Sequence, residues 1–367
     1  MVGESLFESV PNFSEGRDRS VIDAIGGAAV AAHVLGVDSD GDHNRTVVSL
    51  AGFRPHLLDA LMASVRVAVE LIDVRSHRGV HPRVGAADVV PIVPLHSTPL
   101  SRCQEVAAEL GERIWSELQV PVYFYGRGQS LADIRGGRGR LDLGGPGLHP
   151  TAGAVCIGAR PALVAFNVLL KGVDFGAARA LARSIRESGG GMRGVHALAF
   201  ELSGGRVQLS MNLFRLEEAT PAMVVAELSR RGLEIASQQV VGLCPAVAAN
   251  PAAAGRLLEA RLAAAAARAG AVRCFERGDN EHVALARRLR REAESLALLD
   301  VDQEALLGGA ERAAALVPVL SVAGVLDGEL QAMLGAAASG LRQAVSDETR
   351  SSYAARVEAL DRRIASA

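Results

Sequence analysis

The stretch VHALAFELSGGRVQLSMNL, residues 195–213, reads as two runs of alternating apolar and polar residues joined at Gly204-Gly205. Alternation with a period of two is the mark of a half-buried strand, and a diglycine between two such runs is a hairpin turn. Working outward, residues 162–170 alternate like a strand, 175–187 carry helical spacing, 221–231 carry it again, and 238–243 return to strand. The order is β-α-β-β-α-β. Towards the N-terminus the same order is predicted: strand 5–10, helix 19–33, strands 34–39 and 45–51, helix 55–71 and strand 88–94. An extra helix near 101–118 and a strand near 120–125 follow the first copy. Thr98-Pro99 and Thr220-Pro221 each set a capping hydroxyl before a proline at the first helical position. The predicted fold class is therefore α+β: two ferredoxin-like subdomains facing a ligand cleft, followed by an all-α C-terminal region. The predicted division is 1–160, 161–250 and a helical extension over 251–367, where alanine, arginine, glutamate and leucine take over.

The 367 residues and 49% hydrophobic content suffice for several cores, and a net charge of −2 with scattered basic residues argues against a nucleic-acid partner. Lys171 lacks the glycine spacing of a phosphate-binding loop. Cys103, Cys156, Cys244 and Cys274 are far apart and form no CxxC pair, so they read as ordinary thiols of a reducing compartment. No basic leader or run of eighteen apolar residues is evident, which predicts a cytoplasmic chain with no membrane partner.

Three clusters could carry chemistry. In HRGVHPRVGAADVVP, residues 77–91, two histidines lie four apart, but Gly79 and Pro82 oppose the helix that a zinc pair would need, and no third ligand is evident. No metal is predicted. A loop histidine beside an arginine suits acid–base work, with Arg83 holding an anionic group, although a histidine packed in a turn fits the spacing equally well. In DSDGDHNRT, residues 38–46, Asp38, Asp40 and Asp42 alternate as in a calcium loop but lack its distant glutamate; Asp40 and Asp42 read as turn residues. GGPGLHPTAG, residues 144–153, precedes a strand and is no nucleotide turn, yet it can bring backbone close to a flat ligand. Ser14, Ser210 and the cysteines have no nucleophile setting such as GxSxG.

VPNFSEGRD, DSDGDHNRTVV, LIDVRSHRGVHPRVGAADVVPIVP, VPVYFYG, LHPTAGAVCIGARPALVAFNVLL, IRESGGGMRGVHAL, VQLSMNL and VVGL, in this order over about the first 245 residues, resemble the formimidoyltransferase family. That family includes the transferase half of formimidoyltransferase-cyclodeaminases. The resemblance implies transfer of a formimino group between N-formimino-L-glutamate and tetrahydrofolate, the co-substrate, in a homodimer whose partners are small molecules. It implies His81 as the acid–base residue, with Asp38 orienting it or stabilising an amidinium. Gly144, Gly145, Pro146, His149, Pro150, Thr151 and Gly153 match the stretch assigned to folate, and Arg45, Arg83 and Arg160 are candidates for a substrate carboxylate. Gly36, Gly145 and a short segment over 127–141 depart from the family pattern, which leaves open a transferase for a different amine or a non-catalytic folate binder. The tail over 289–306 is weakly similar to one helix of a cyclodeaminase domain, without that domain's glycine-rich opening.

Overall fold

The computed structural model of the chain describes residues 4–366. The chain divides into two compact units. One runs to Ala162 and adds Val173–Ala182 and Leu198–Leu209; the other holds Leu163–Gly172, Arg183–Ala197 and everything from Ser210 onward.

The first unit begins with β1 (Leu6–Ser9), β2 (Asn12–Phe13), α1 (Arg19–Gly27), β3 (His33–Asp40), β4 (Arg45–Phe53), α2 (Arg54–Leu71) and β5 (Ala87–Pro94). Strand β1 pairs antiparallel with both β4 and β5, and β4 pairs antiparallel with β3. The spatial order β5-β1-β4-β3 is that of a ferredoxin-like sheet. Beyond β5 the chain adds α3 (Leu100–Leu118), β6 (Val122–Phe124), α4 (Leu131–Arg135) and β7 (Val155–Ala159). Strand β7 lies parallel between β5 and β6, giving seven strands in all. Phe13, Leu50, Leu57, Leu61, Ile92 and Leu110 are fully buried between this sheet and its helices.

Three sequence expectations change here. Helix α1 stops at Gly27 and not near residue 33, because two consecutive glycines each cost about 1 kcal/mol in a helix. Strand β7 is legible in the sequence only as a strand following residue 153, with no bounds: four of its five residues are buried, as in a parallel strand covered on both faces, so the alternation that reveals an edge or half-exposed strand is missing. Thr98 does not cap α3. Its hydroxyl donates to the Leu6 carbonyl at 2.9 Å, and Pro99 occupies the N-cap position.

The second copy of the pattern is β8 (Val164–Lys171), α5 (Phe175–Ile185), β9 (Val195–Leu202), β10 (Arg206–Leu213), α6 (Pro221–Arg230) and β11 (Glu234–Val241), with strand order β11-β8-β10-β9. Relative to its own chain order this is the same arrangement as the first. The predicted hairpin and its Gly204-Gly205 turn are present, both glycines having positive φ. Thr220 caps α6 by accepting from the Met223 N–H, with Pro221 at the first helical position. The last strand begins at Glu234, four residues before the expected start, since its N-terminal half is exposed and polar and carries little apolar signal.

The remainder is helical: α7 (Leu258–Arg277), α8 (Asn280–Ala297), α9 (Gln303–Val322), α10 (Gly328–Ala344), α11 (Asp347–Ser352) and α12 (Ala354–Ser366). Asp279, Asp302, Asp327 and Ser346 each accept a first-turn N–H, satisfying donors that a helix start leaves open. Small residues set the packing distances. A Cβ on Gly270 would stand 2.6 Å from a Leu320 methyl, so α7 and α9 approach closely there. Helix α9 is long and apolar enough to cross a membrane by composition, yet Leu306, Leu307, Ala310, Ala313 and Leu320 are buried within the helical region.

Candidate functional site

Loops from remote parts of the sequence converge on His81 within the first unit. The 77–86 loop is fastened along its length. Ser14 Oγ donates to the Gly85 carbonyl at 2.7 Å and the Ser14 N–H to the Ala86 carbonyl at 2.8 Å. Asn44 Nδ2 donates to the Arg78 carbonyl at 2.9 Å, and the Val80 N–H to the Asp42 carbonyl at 3.2 Å. Asn44 Oδ1 accepts from the Gly16 N–H at 2.8 Å, so a single amide ties the SEG and DHN turns to the histidine loop. Arg83 spends its guanidinium on this same loop, donating to the Gly79 and His81 carbonyls and contacting His77 Nε2.

The stretch 149–153 docks against the loop from the other side. The Ala86 N–H donates to the Ala152 carbonyl at 2.9 Å, Ala154 N–H to the Val84 carbonyl at 3.2 Å and Val74 N–H to the Thr151 carbonyl at 2.8 Å. His149 and Gly153 exchange backbone hydrogen bonds, and His149 Nδ1 accepts from the Ala152 N–H, closing a tight turn. No side chain fits where the two backbones meet. A Cβ on Gly85 would lie 2.1 Å from the Ala154 carbonyl oxygen, and one on Gly153, where φ is +71°, would lie 2.3 Å from that of Val84. Gly144, Gly145, Pro146 and Pro150 are exposed, and the Gly145-Pro146 peptide is cis.

His81 itself is half-buried. Its Nδ1 lies 2.8 Å from the Pro82 carbonyl oxygen, an acceptor with no proton to offer, so Nδ1 carries the hydrogen and Nε2 the lone pair. Burial, with the charges of Arg45 and Arg135, pushes the imidazole pKa down to about 3 against the opposing pull of the Pro82 hydrogen bond and Asp88. The ring is therefore neutral at neutral pH and able to accept a proton. His43 and Phe200 stand beside it, with ring centroids 5.9 and 5.7 Å away, and Phe200 meets His43 edge-on at 5.1 Å. Gln208 Nε2 donates to His43 Nε2 at 3.1 Å. The hairpin carrying Phe200 and Gln208 is held by Arg206, whose guanidinium reaches Asp42 at 2.9 Å.

Against the end of the same loop lies a buried charge cluster. Asp88 is fully buried; Oδ2 accepts from Arg45 Nη1 at 2.6 Å and Arg135 Nη2 at 2.8 Å, while Oδ1 accepts from the Val84 N–H at 2.6 Å. Burial alone would raise its pKa, but Arg45 and Arg135 hold the carboxyl below its ordinary range. Arg45 Nε also donates to Asn12 Oδ1 at 2.8 Å. Ion pairs this deep are often replaceable by apolar residues at no loss or with a gain of about 1–4 kcal/mol, so stability is a poor explanation for one.

Of the residues expected from sequence, the structure brings together His81, Arg83, Arg45, His149, Thr151 and Gly153. Arg45 sits on Asp88, and Arg83 on carbonyls of its own loop. Asp38 lies half-buried on β3 opposite Val47. Arg160 follows β7, donates to the Pro161 carbonyl at 3.0 Å and stands as a cation near Tyr125, whose hydroxyl burial pushes up to about 12. His43, Asn44, Asp88, Arg135, Phe200 and Gln208 were not singled out. His43, Asn44, Asp88 and Gln208 fall inside quoted motifs, so their signal was present; Phe200 is an ordinary strand position and gave none of its own. Among the described residues no group of three or more His, Cys, Asp or Glu could hold a metal ion.

Residues 6–160 match the model of the formiminotransferase domain, N-terminal subdomain. The chain is 37% identical over 270 residues to a glutamate formimidoyltransferase of Thermoplasma acidophilum, covering 66% of this chain and 88% of that protein. The chain belongs to the formimidoyltransferase family. A second glutamate formimidoyltransferase, from Streptococcus pyogenes serotype M1, is 35% identical over 271 residues, covering 66% of this chain and 90% of the relative. The formimidoyltransferase-cyclodeaminase of Rattus norvegicus is 35% identical over 282 residues, covering 68% of this chain and 52% of the rat protein. The chain thus matches about half the length of that bifunctional relative. Family membership makes it a transferase, and the converging loops around His81 form the candidate centre of this formimidoyltransferase.

Proposed function

We propose that the protein transfers a formimino group between N-formimino-L-glutamate and tetrahydrofolate, giving 5-formiminotetrahydrofolate and glutamate. The observation that carries the reading is the bond from His81 Nδ1 to the Pro82 carbonyl, which leaves Nε2 as a neutral base in a loop packed against the HPTAG turn. His81 Nε2 takes the proton released as the N5 amine of tetrahydrofolate adds to the amidine carbon. The same nitrogen returns the proton to the amine that departs with glutamate. One C–N bond forms, one breaks, and nothing is oxidised. The exposed Gly144, Gly145, Pro146 and Pro150 offer backbone to the flat pterin, and the turn formed by His149, Thr151 and Gly153 holds them in place. Asp38 supports the amidinium, and a carboxylate of the substrate falls to Arg160, since Arg45 is committed to Asp88 and Arg83 to carbonyls of its own loop. A cytoplasmic homodimer serving histidine breakdown belongs to this reading, as does a division into subdomains 1–160 and 161–250 with a helical extension over 251–367.

The test is to incubate purified protein with tetrahydrofolate and formiminoglutamate and to follow 5-formiminotetrahydrofolate by absorbance, beside His81→Ala. Turnover by wild type and its loss in the variant are expected. Turnover by both removes His81 from its role; binding of tetrahydrofolate without turnover points to another amine or to a folate binder.

A further inference from the structure

We propose that Arg135 is a positioning residue for His81: by sharing the Asp88 carboxylate with Arg45, it fixes the histidine loop and leaves one guanidinium charge unbalanced beside that loop. This deepens the reading above and rests on it for the role of His81.

The geometry is specific. Both arginines place a nitrogen on Asp88 Oδ2, at 2.6 and 2.8 Å, while Oδ1 receives the Val84 N–H at the end of the loop that carries His81. Arg135 reaches Asp88 from α4, a five-residue helix whose Ser130 cap accepts from the Asp133 N–H. Its Nε is buried with no hydrogen-bond partner. One carboxylate faces two arginines, and arginine keeps its charge at any working pH. Neighbouring groups do not supply the missing anion: burial and Asp88 push the Cys156 thiol up to about 12, and burial holds the Tyr125 hydroxyl at about 12. The charged or titratable groups around His81 are Arg45 on β4, Asp88 on β5, Arg135 on α4, His43 in the turn before β4, and Arg83 on its own loop. Two of these cations, Arg45 and Arg135, disfavour a second proton on the imidazole. Arg45 is additionally braced by Asn12; Arg135 is the cation whose removal leaves the Arg45–Asp88 pair intact.

The experiment compares wild type with Arg135→Gln, which removes the charge, and Arg135→Lys, which keeps it. His81 is titrated by heteronuclear NMR of the apo protein, with amide dispersion confirming folding, and kcat, KM and the acid limb of the pH–rate profile are measured in parallel. We expect Arg135→Gln to raise the His81 midpoint by at least one pH unit, move the acid limb with it and lower kcat tenfold or more with a smaller change in KM. Arg135→Lys is expected to restore the low midpoint. An unchanged midpoint in folded Arg135→Gln, or an equal rise in both variants, overturns the proposal. If the NMR midpoints behave as expected while wild type shows no turnover, the positioning role stands and the proposed reaction fails.

Discussion

His81 Nδ1 lies 2.8 Å from the carbonyl oxygen of Pro82, the next residue in the chain. The contact selects one tautomer, because a carbonyl oxygen can only accept, and a ring so held presents Nε2 as its base.

From this follows a pH dependence of stability. Burial and two arginines lower the His81 midpoint to about 3, from an ordinary 6.5 retained by the unfolded chain. As pH falls below 6.5 the unfolded chain binds this proton first, so native stability declines progressively down to about pH 3 and is unaffected above 6.5. Burial lowers His43 as well and acts in the same direction. Urea midpoints measured from pH 7 to pH 4.5 are expected to fall less steeply in His81→Asn than in wild type. Parallel curves would show that the ring is not held neutral.

Asp88→Asn is expected to destabilise the protein by about 3–5 kcal/mol, the usual cost of leaving buried charges without their partner. The substitution keeps an oxygen for the Val84 N–H but withdraws the anion from Arg45 and Arg135. Equilibrium urea denaturation at pH 7 measures it; a change under 1 kcal/mol would mean that water reaches the pair.

At the junction of the HPTAG turn and the histidine loop, Gly153→Ala combines a positive φ with a Cβ 2.3 Å from the Val84 carbonyl oxygen. A loss of about 1–3 kcal/mol is expected from backbone strain of this kind. Gly147→Ala, in the same stretch, meets nothing within 4 Å and serves as the control, with an expected change inside about 0.5 kcal/mol. Equal effects from the two would refute the packing argument.

In the second unit, Glu259 on α7 is buried and accepts from the Ala246 N–H at 2.9 Å. Burial raises its pKa to about 7, against the ordinary 4.5. A carboxyl raised in the folded state favours folding fully below 4.5, and that contribution disappears as pH climbs through 7. Glu259→Gln retains the acceptor and removes the charge, so its melting temperature is expected to exceed that of wild type at pH 8.5 and to differ little at pH 4.5. A wild-type advantage at pH 8.5 would contradict the assignment.

Local patterns in the chain were enough to specify the repeated β-α-β-β-α-β order. The alternation over 195–213 and the diglycine turn act within a few residues, and so does the cap at Thr220. Signals of longer range failed where burial removed the pattern: β7 hides because both of its faces are covered, and α1 overran because a periodic apolar count ignores the cost of Gly26 and Gly27. The C-terminal helices were legible as a region from their composition, and the cap at Ser346 from its residue types alone.

The histidine loop and the HPTAG turn could each be recognised as unusual on their own residues, since histidine, proline and glycine at those positions demand a particular backbone. That they touch could not, because Gly85 and Gly153 are 68 residues apart and meet through backbone groups that every residue carries. The same limit hid the Asp88–Arg135 pair, whose partners are supplied by a strand and a five-residue helix. Periodicity and turn chemistry are properties of neighbours along the chain. The charge beside the histidine loop is a property of neighbours in space, and it exists only once β4, β5 and α4 have been brought together.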